Sequence, residues 1–278
     1  MRTFNYAGGN LHLGTKTYIM GILNITPDSF YDGGRFFDPK NAVKRAVELE
    51  NEGADILDIG AVSTRPGAIR VSEAEEMQRL RAVFKEIRKN VNIPISVDTY
   101  RPSIANFCLN NGANIINDVS GAFNPLLAKV IKDCGAGWIV MHSGGDNVNT
   151  EDVLDYPCGI VNHIQMFFDE MLNETMQFGI DNSNICLDAG FGFAKTNEQN
   201  IELLKNFDIL SSYGCALLCA LSRKRFIGEL FCEVDPEKRI NGTLVANITA
   251  VLKGADIIRV HNVNEHKQII CGLDKIVR

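Results

Sequence analysis

At 278 residues, 45% of them hydrophobic and 22% charged, the chain has the composition of a globular enzyme with one large core, and closed α/β barrels routinely reach this length as a single domain. A formal net charge of −6, with no basic run longer than Ser222-Arg223-Lys224-Arg225, excludes a general nucleic-acid binder. No stretch approaches the roughly 20 apolar residues of a membrane span and the N-terminal residues lack a secretory-signal pattern, so a cytoplasmic protein without membrane partners is expected.

Short apolar runs over 18–25, 56–60, 95–98, 115–119, 138–142, 185–188, 216–221 and 256–261 predict eight strands. Amphipathic helical patterns separate them at 39–52, 72–90, 102–111, 125–134, 159–178 and 198–210, and residues 223–252 hold two helices. Ser72 followed by Glu75 predicts a capping box, and Gly53, Gly112, Gly135 and Gly179 stand where left-handed helix caps are expected. Strand and helix in alternation imply parallel strands joined by right-handed crossovers. Eight such units predict an α/β fold, a single (β/α)8 TIM barrel occupying residues 1–278 as one domain. Residues 143–156 are polar and turn-rich, too long for a simple connection. None of the eight cysteines forms Cys-x-x-Cys, which predicts reduced, mostly buried thiols.

Active sites of such barrels lie at the C-terminal ends of the strands. Here apolar runs repeatedly end in a polar residue: Asn24, Asp98, Asn117, Asp188, Arg259 and His261. Any one of them reads most simply as a loop hydrogen bond or a helix cap. Several on one rim imply a ligand or a network, because an unsatisfied buried polar group costs roughly 2–7 kcal/mol. Asp98, Asn117 and Asp188 together offer acceptors and an amide, the complement of a donor-rich heterocycle such as an aminopyrimidinone. Arg259 and His261, two apart on a strand and so on one face, suit an anion such as phosphate, as does Arg65. A structural ion pair for Arg259 and a satisfied core histidine for His261 are the alternatives.

These motifs resemble those of the dihydropteroate synthases over nearly the whole chain. Met20-Gly-Ile-Leu-Asn-Ile-Thr-Pro-Asp-Ser-Phe-Tyr-Asp-Gly-Gly34 is similar to the family's first-loop signature, and Gly53-Ala-Asp-Ile-Leu-Asp-Ile-Gly60 with Ser63-Thr-Arg-Pro-Gly-Ala68 to its second. Ser96-Val-Asp-Thr99, Ile116-Asn-Asp-Val-Ser-Gly121, Asp188-Ala-Gly-Phe-Gly-Phe193, Ser222-Arg-Lys224 and Arg259-Val-His261 follow in family order. The resemblance implies condensation of 6-hydroxymethyl-7,8-dihydropterin diphosphate with p-aminobenzoate to 7,8-dihydropteroate, in a homodimer that sulfonamides target. It implies that Asp98, Asn117, Asp188 and Lys224 bind the pterin, with Asp98, Asp188 and Lys224 catalytic and Met141, Val119 and Phe193 as apolar walls. Asn24, Arg65, Arg259 and His261 would hold the diphosphate, Asn24 also touching Mg2+. Loops 26–34 and 63–68 would close over p-aminobenzoate, bringing Phe30, Thr64 and Pro66 to it.

The chain departs from the family pattern in places. Val62 stands where Glu is usual, Ala189 where Pro is, and Asn262 where Asp is, the last expected to remove a charge beside the phosphate site. Arg225 replaces a small residue. It would pair with the p-aminobenzoate carboxylate, fill the pocket, or turn out to solvent. Two other functions remain open at this point: a paralogue that is non-catalytic or has an altered acceptor, and a methyltetrahydrofolate-dependent methyltransferase.

Overall fold

The computed structural model describes residues 2–25, 39–62, 71–144 and 153–278. Eight parallel strands close into a barrel: β3 (Tyr18–Asn24), β4 (Ile56–Gly60), β5 (Ile95–Asp98), β6 (Ile115–Asp118), β7 (Gly137–Met141), β8 (Ile185–Asp188), β9 (Ala216–Cys219) and β10 (Ile257–Val260), with β10 returning to β3. Around them pack α1 (Pro39–Asn51), α2 (Glu73–Asn90), α3 (Pro102–Leu109), α4 (Pro125–Cys134), α5 (Ile160–Phe178), α6 (Asn197–Lys205), α7 (Arg225–Leu230), α8 (Ile240–Leu252) and α9 (Val263–Val277). Each predicted strand is present within two residues of its expected ends, and the single (β/α)8 barrel is the observed architecture.

The differences have local causes. The pattern at 198–210 divides into α6 and a 3-10 turn over Phe207–Tyr213, because Asn206 leaves helical geometry at φ −113°. Ser72 caps α2 by accepting the Glu75 N–H at 3.2 Å, while a full reciprocal box forms at α6, between Thr196 and Gln199. All eight cysteines are free, and Cys108, Cys186, Cys215 and Cys219 are buried as expected; Cys158, Cys232 and Cys271 are exposed.

Two apolar layers result. Residues facing outward from the strands, such as Ile19, Leu57 and Leu187, pack against Leu49, Phe84 and Phe168 of the helices. Residues facing inward, such as Met20, Ile56, Ile115, Ile139 and Leu218, fill the barrel itself. The floor of that inner layer is an antiparallel hairpin that no sequence pattern announced, β1 (Thr3–Tyr6) with β2 (Gly9–His12). It inserts Phe4 and Leu11 beneath the strands. A Cβ on Gly137 would lie 2.8 Å from Phe4 Cζ, so only glycine at the start of β7 leaves room for the ring. Arg2 latches the hairpin to the barrel with a 3.0 Å ion pair to buried Asp256.

Candidate active site

Register brings the polar strand ends to a common level. Asp98 pairs with Asn117 across β5 and β6, and Met141 with Asp188 across β7 and β8. Because strand side chains alternate, Asp98, Asn117 and Asp188 point inward above the apolar filling, and all three are buried. Lys224, which precedes α7, reaches over them, its Nζ 4.1 Å from the centre of the Phe193 ring. A Cβ on Gly192 would sit 3.0 Å from Lys224 Cδ, and Gly192 has φ +76°, so close approach and backbone conformation both call for glycine there.

Arg259 lies at the centre of this arrangement. Its Nε donates to Asp58 Oδ2 at 2.7 Å and its Nη2 to Asp98 Oδ2 at 3.1 Å. Asp58 Oδ2 also accepts from Asn117 Nδ2 at 3.3 Å. The structural ion pair is therefore present: two carboxylates hold the Arg259 guanidinium on the barrel rim. Asp58 was missed in the sequence. Its signal was parity: in Ile56-Leu-Asp-Ile-Gly60 it shares the inward face with Ile56 and Gly60. Among the described residues, Asp58 Oδ1 and Asn117 Oδ1 are buried without a hydrogen-bond partner, atoms that call for a donor.

Burial sets the charge states. Desolvation pushes Asp98 up to about 7, against the pull of Arg259, and nearby Asp58 and Glu76 add to the rise. Asp188 is also raised by burial, while the Gly190 N–H, donated to its Oδ1 at 2.8 Å, opposes the shift. Desolvation brings Lys224 down to about 8, moderated by Asp188 and Asp98. The site is a buried, nearly balanced set of charges.

Of the other expected residues, Met141 is buried at the end of β7, and Val119 is half-buried beside Asp98, lining a small cavity with Thr99 and Tyr100. His261 follows β10, its Nδ1 2.9 Å from Ser222 Oγ, which also accepts the His261 N–H at 3.2 Å. Asn24 closes β3 with its Oδ1 3.5 Å from where a Gly60 Cβ would be. Arg65, Phe30, Thr64 and Pro66, the loops 26–34 and 63–68 that carry them, and 145–152 of the polar stretch 143–156 lie outside the described residues.

Two departures take on a different meaning. Arg225 is the first residue of α7 with its side chain 75% exposed and paired to Glu229 at 3.1 Å, an outward orientation among the described residues. Asn262 Oδ1 accepts from Arg223 Nη2 at 2.9 Å and Nε at 3.3 Å, so the amide holds the Arg223 guanidinium.

A family model described as pterin binding enzyme matches residues 20–261, from β3 through the Arg259-Val-His261 segment. The chain belongs to the pterin-binding enzyme family. Within it, the chain is 41% identical to dihydropteroate synthase of Synechocystis sp. over 266 residues, covering 95% of this chain and 92% of that one. In fold it is similar to Xanthomonas albilineans dihydropteroate synthase with 4-aminobenzoic acid: TM-score 0.91, 35% identity, 99% of this chain and 97% of that one covered. The same enzyme in complex with 7,8-dihydropteroate matches at TM-score 0.87 and 32% identity, covering 99% of this chain and 98% of that one. This company supports the synthase over the methyltransferase alternative.

Proposed function

We propose that the protein is a transferase that joins 6-hydroxymethyl-7,8-dihydropterin diphosphate to p-aminobenzoate, forming 7,8-dihydropteroate and releasing diphosphate in folate biosynthesis. The observation that carries this reading is the cluster of buried Asp98, Asn117 and Asp188 on the barrel rim, roofed by Lys224 over Phe193. Near full-length similarity to synthases, one of them solved with 7,8-dihydropteroate, supports it.

In the reaction the bond between the pterin methylene carbon and the diphosphate oxygen breaks, and a bond from that carbon to the amine nitrogen forms. The amine's proton leaves to solvent. Asp188 and Asn117 accept and donate along the aminopyrimidinone edge, and Asp98 favours a ring that carries developing positive charge. Phe193, Met141 and Val119 cover the apolar faces and exclude water that would otherwise intercept the cation. The aromatic amine is already nucleophilic when neutral, so no strong general base is assigned.

Arg259 orders Asp58 and Asp98 on the pterin side, and its charge also reaches the methylene that loses diphosphate. The leaving group falls to Arg259 and His261, with Arg65 from outside the described residues. Mg2+ belongs to the proposal: Asn24 offers an amide oxygen in front of Gly60, and Mg2+ is commonly held by one or two protein oxygens together with substrate phosphates. When bound it neutralises charge on the departing diphosphate. Phe30, Thr64 and Pro66 are assigned to p-aminobenzoate, and Arg225 is left out of that site.

A homodimer is also proposed, using α8, where Val245 and Leu252 are exposed, and it is checked by light scattering. No helix among the described residues is long and apolar enough to cross a membrane; cytoplasmic residence is part of the proposal. A similar synthase from Yersinia pestis has been solved with a sulfonamide drug, which makes sulfonamide inhibition an expectation for this chain.

The deciding experiment measures diphosphate release from the pterin diphosphate with magnesium, with and without p-aminobenzoate, with the product identified by mass. Amine-dependent release that Lys224→Ala abolishes is expected. Tight pterin binding with no release would leave the non-catalytic paralogue.

A further inference from the structure

Lys195 is a buried amine that the reaction as drawn does not use; burial brings it down to about 7, opposed by the nearby Asp188 carboxylate. It is 7% exposed, and its Nζ lies 2.9 Å from His142 Nδ1, 2.9 Å from Gly190 O, 3.0 Å from Phe193 O and 3.4 Å from His142 O. An ammonium has three N–H donors, so the three short contacts use all of them and the fourth is shared. With Lys195 protonated, His142 Nδ1 accepts, and that ring is neutral with its proton on Nε2. Burial first, and Lys195 second, hold His142 down at about 2, in agreement with a neutral ring.

Two of the three carbonyls that Lys195 contacts, those of Gly190 and Phe193, belong to the turn between β8 and α6, and each is covalently tied to a group facing the pterin pocket. Gly190 gives its carbonyl to Lys195 and its N–H to Asp188 Oδ1 at 2.8 Å. Phe193 gives its carbonyl to Lys195 and presents its ring to Lys224. The turn is held from other sides as well: Gly192 N–H donates to Asn200 Oδ1 at 2.7 Å, and Tyr156 OH to Ala194 O at 3.0 Å. It has little slack. A Cβ on Gly190 would fall 1.9 Å from His142 O, and Ala194 is held at φ +50°, a left-handed conformation that an alanine disfavours.

We propose that Lys195 is a positioning residue for the pterin: its buried ammonium locks the β8–α6 turn so that the Asp188 carboxylate and the Phe193 ring face the heterocycle. The inference rests on the pterin-binding reading above. It also adds a charge role, since Lys195 sits close enough to favour the ionised form of Asp188 from behind, opposing the effect of burial. The link is directional: Asp188 and Phe193 belong to the pterin side, so the acceptor amine should not sense the lysine.

The test uses the whole enzyme with Lys195→Met and, because methionine could leave four acceptors unsatisfied and prevent folding, Lys195→Gln, which retains a donor but no charge. Affinity is read with 6-hydroxymethylpterin by calorimetry, and KM separately for pterin diphosphate and p-aminobenzoate. A folded variant is expected to bind the pterin at least tenfold more weakly and to raise KM for pterin diphosphate to match, with KM for p-aminobenzoate within twofold. A variant with a lowered melting temperature but wild-type pterin affinity makes Lys195 a structural staple and overturns the proposal. Equal rises in both KM values overturn it too. A wild type that binds pterin without amine-dependent diphosphate release sinks the synthase reading alone, because the affinity comparison does not depend on turnover.

Discussion

Arg259 on β10 donates to Asp58 on β4 at 2.7 Å, a contact between residues 201 apart in the chain that crosses the top of the barrel. Asp58 is fully buried, and it holds Arg259 on one oxygen together with Asn117. The pair joins the pterin-side acceptors to the cation beside the leaving group, so disturbing one end should be felt at the other.

Asp58→Ala leaves the Arg259 guanidinium with one carboxylate instead of two in a buried setting. Removing one partner of such a pair costs about 3–5 kcal/mol. Urea unfolding is expected to report a loss in that range, and kcat/KM for pterin diphosphate to fall at least tenfold. Wild-type kinetics in the folded variant would mean that Arg259 is placed without Asp58.

The pH–rate profile follows from Asp98 and Lys224. Asp98 must be ionised and is pushed up to about 7; Lys224 must be protonated and is brought down to about 8. A narrow bell in kcat/KM, with limbs near these values, is expected. Lys224→Arg should move the alkaline limb upward, since guanidinium stays charged. An unmoved limb would assign it to another group.

Asp98 also links folding to pH. Its pKa in the folded protein, about 7, exceeds the ordinary aspartate value of 3.8, so the native state binds the proton more tightly. Its contribution is fully present below about pH 4 and is lost as pH rises through about 7. Asp98→Asn should flatten that part of the stability curve, measured by urea unfolding at several pH values between 4 and 7.

Phe4→Ala opens the barrel floor. Truncating a fully buried phenylalanine typically costs about 3–5 kcal/mol, and urea unfolding should show it. At a temperature where the variant stays folded, kcat and both KM values should remain near wild type, because the hairpin sits at the opposite end from Asp98 and Asp188.

Arg225→Ser tests the outward orientation. An exposed i,i+4 pair such as Arg225–Glu229 contributes about 0.3–0.5 kcal/mol, so stability should scarcely change. KM for p-aminobenzoate should stay within twofold. A tenfold change would return Arg225 to the acceptor site.

Most of the barrel could be read along the chain. The strand around Ile95–Asp98 and the helix Pro125–Cys134 coincide with their apolar runs and caps, because inward and outward packing at periods of 2 and 3.6 writes itself into consecutive residues. The hairpin escaped, since Phe4 and Leu11 are too few to mark a period and their partner surface is the far-off floor made by Gly137 and its neighbours. Asn206 broke the long helix expected over 198–210 for a reason of local geometry that composition does not carry.

For the site the division is sharper. Residue types and spacing alone placed Asp98, Asn117, Asp188, Arg259 and His261 at strand ends, and strand parity set the inward face that they share. Only the closed barrel decided what they touch. It turned Arg259 toward Asp58 and Asp98, turned Arg225 out to solvent, and shut Lys195 in behind the turn that carries Asp188 and Phe193. The physical reason is that which face a side chain takes is local, a matter of the next few residues, whereas charge pairing in a buried space depends on desolvation and on distances between strands far apart in the chain.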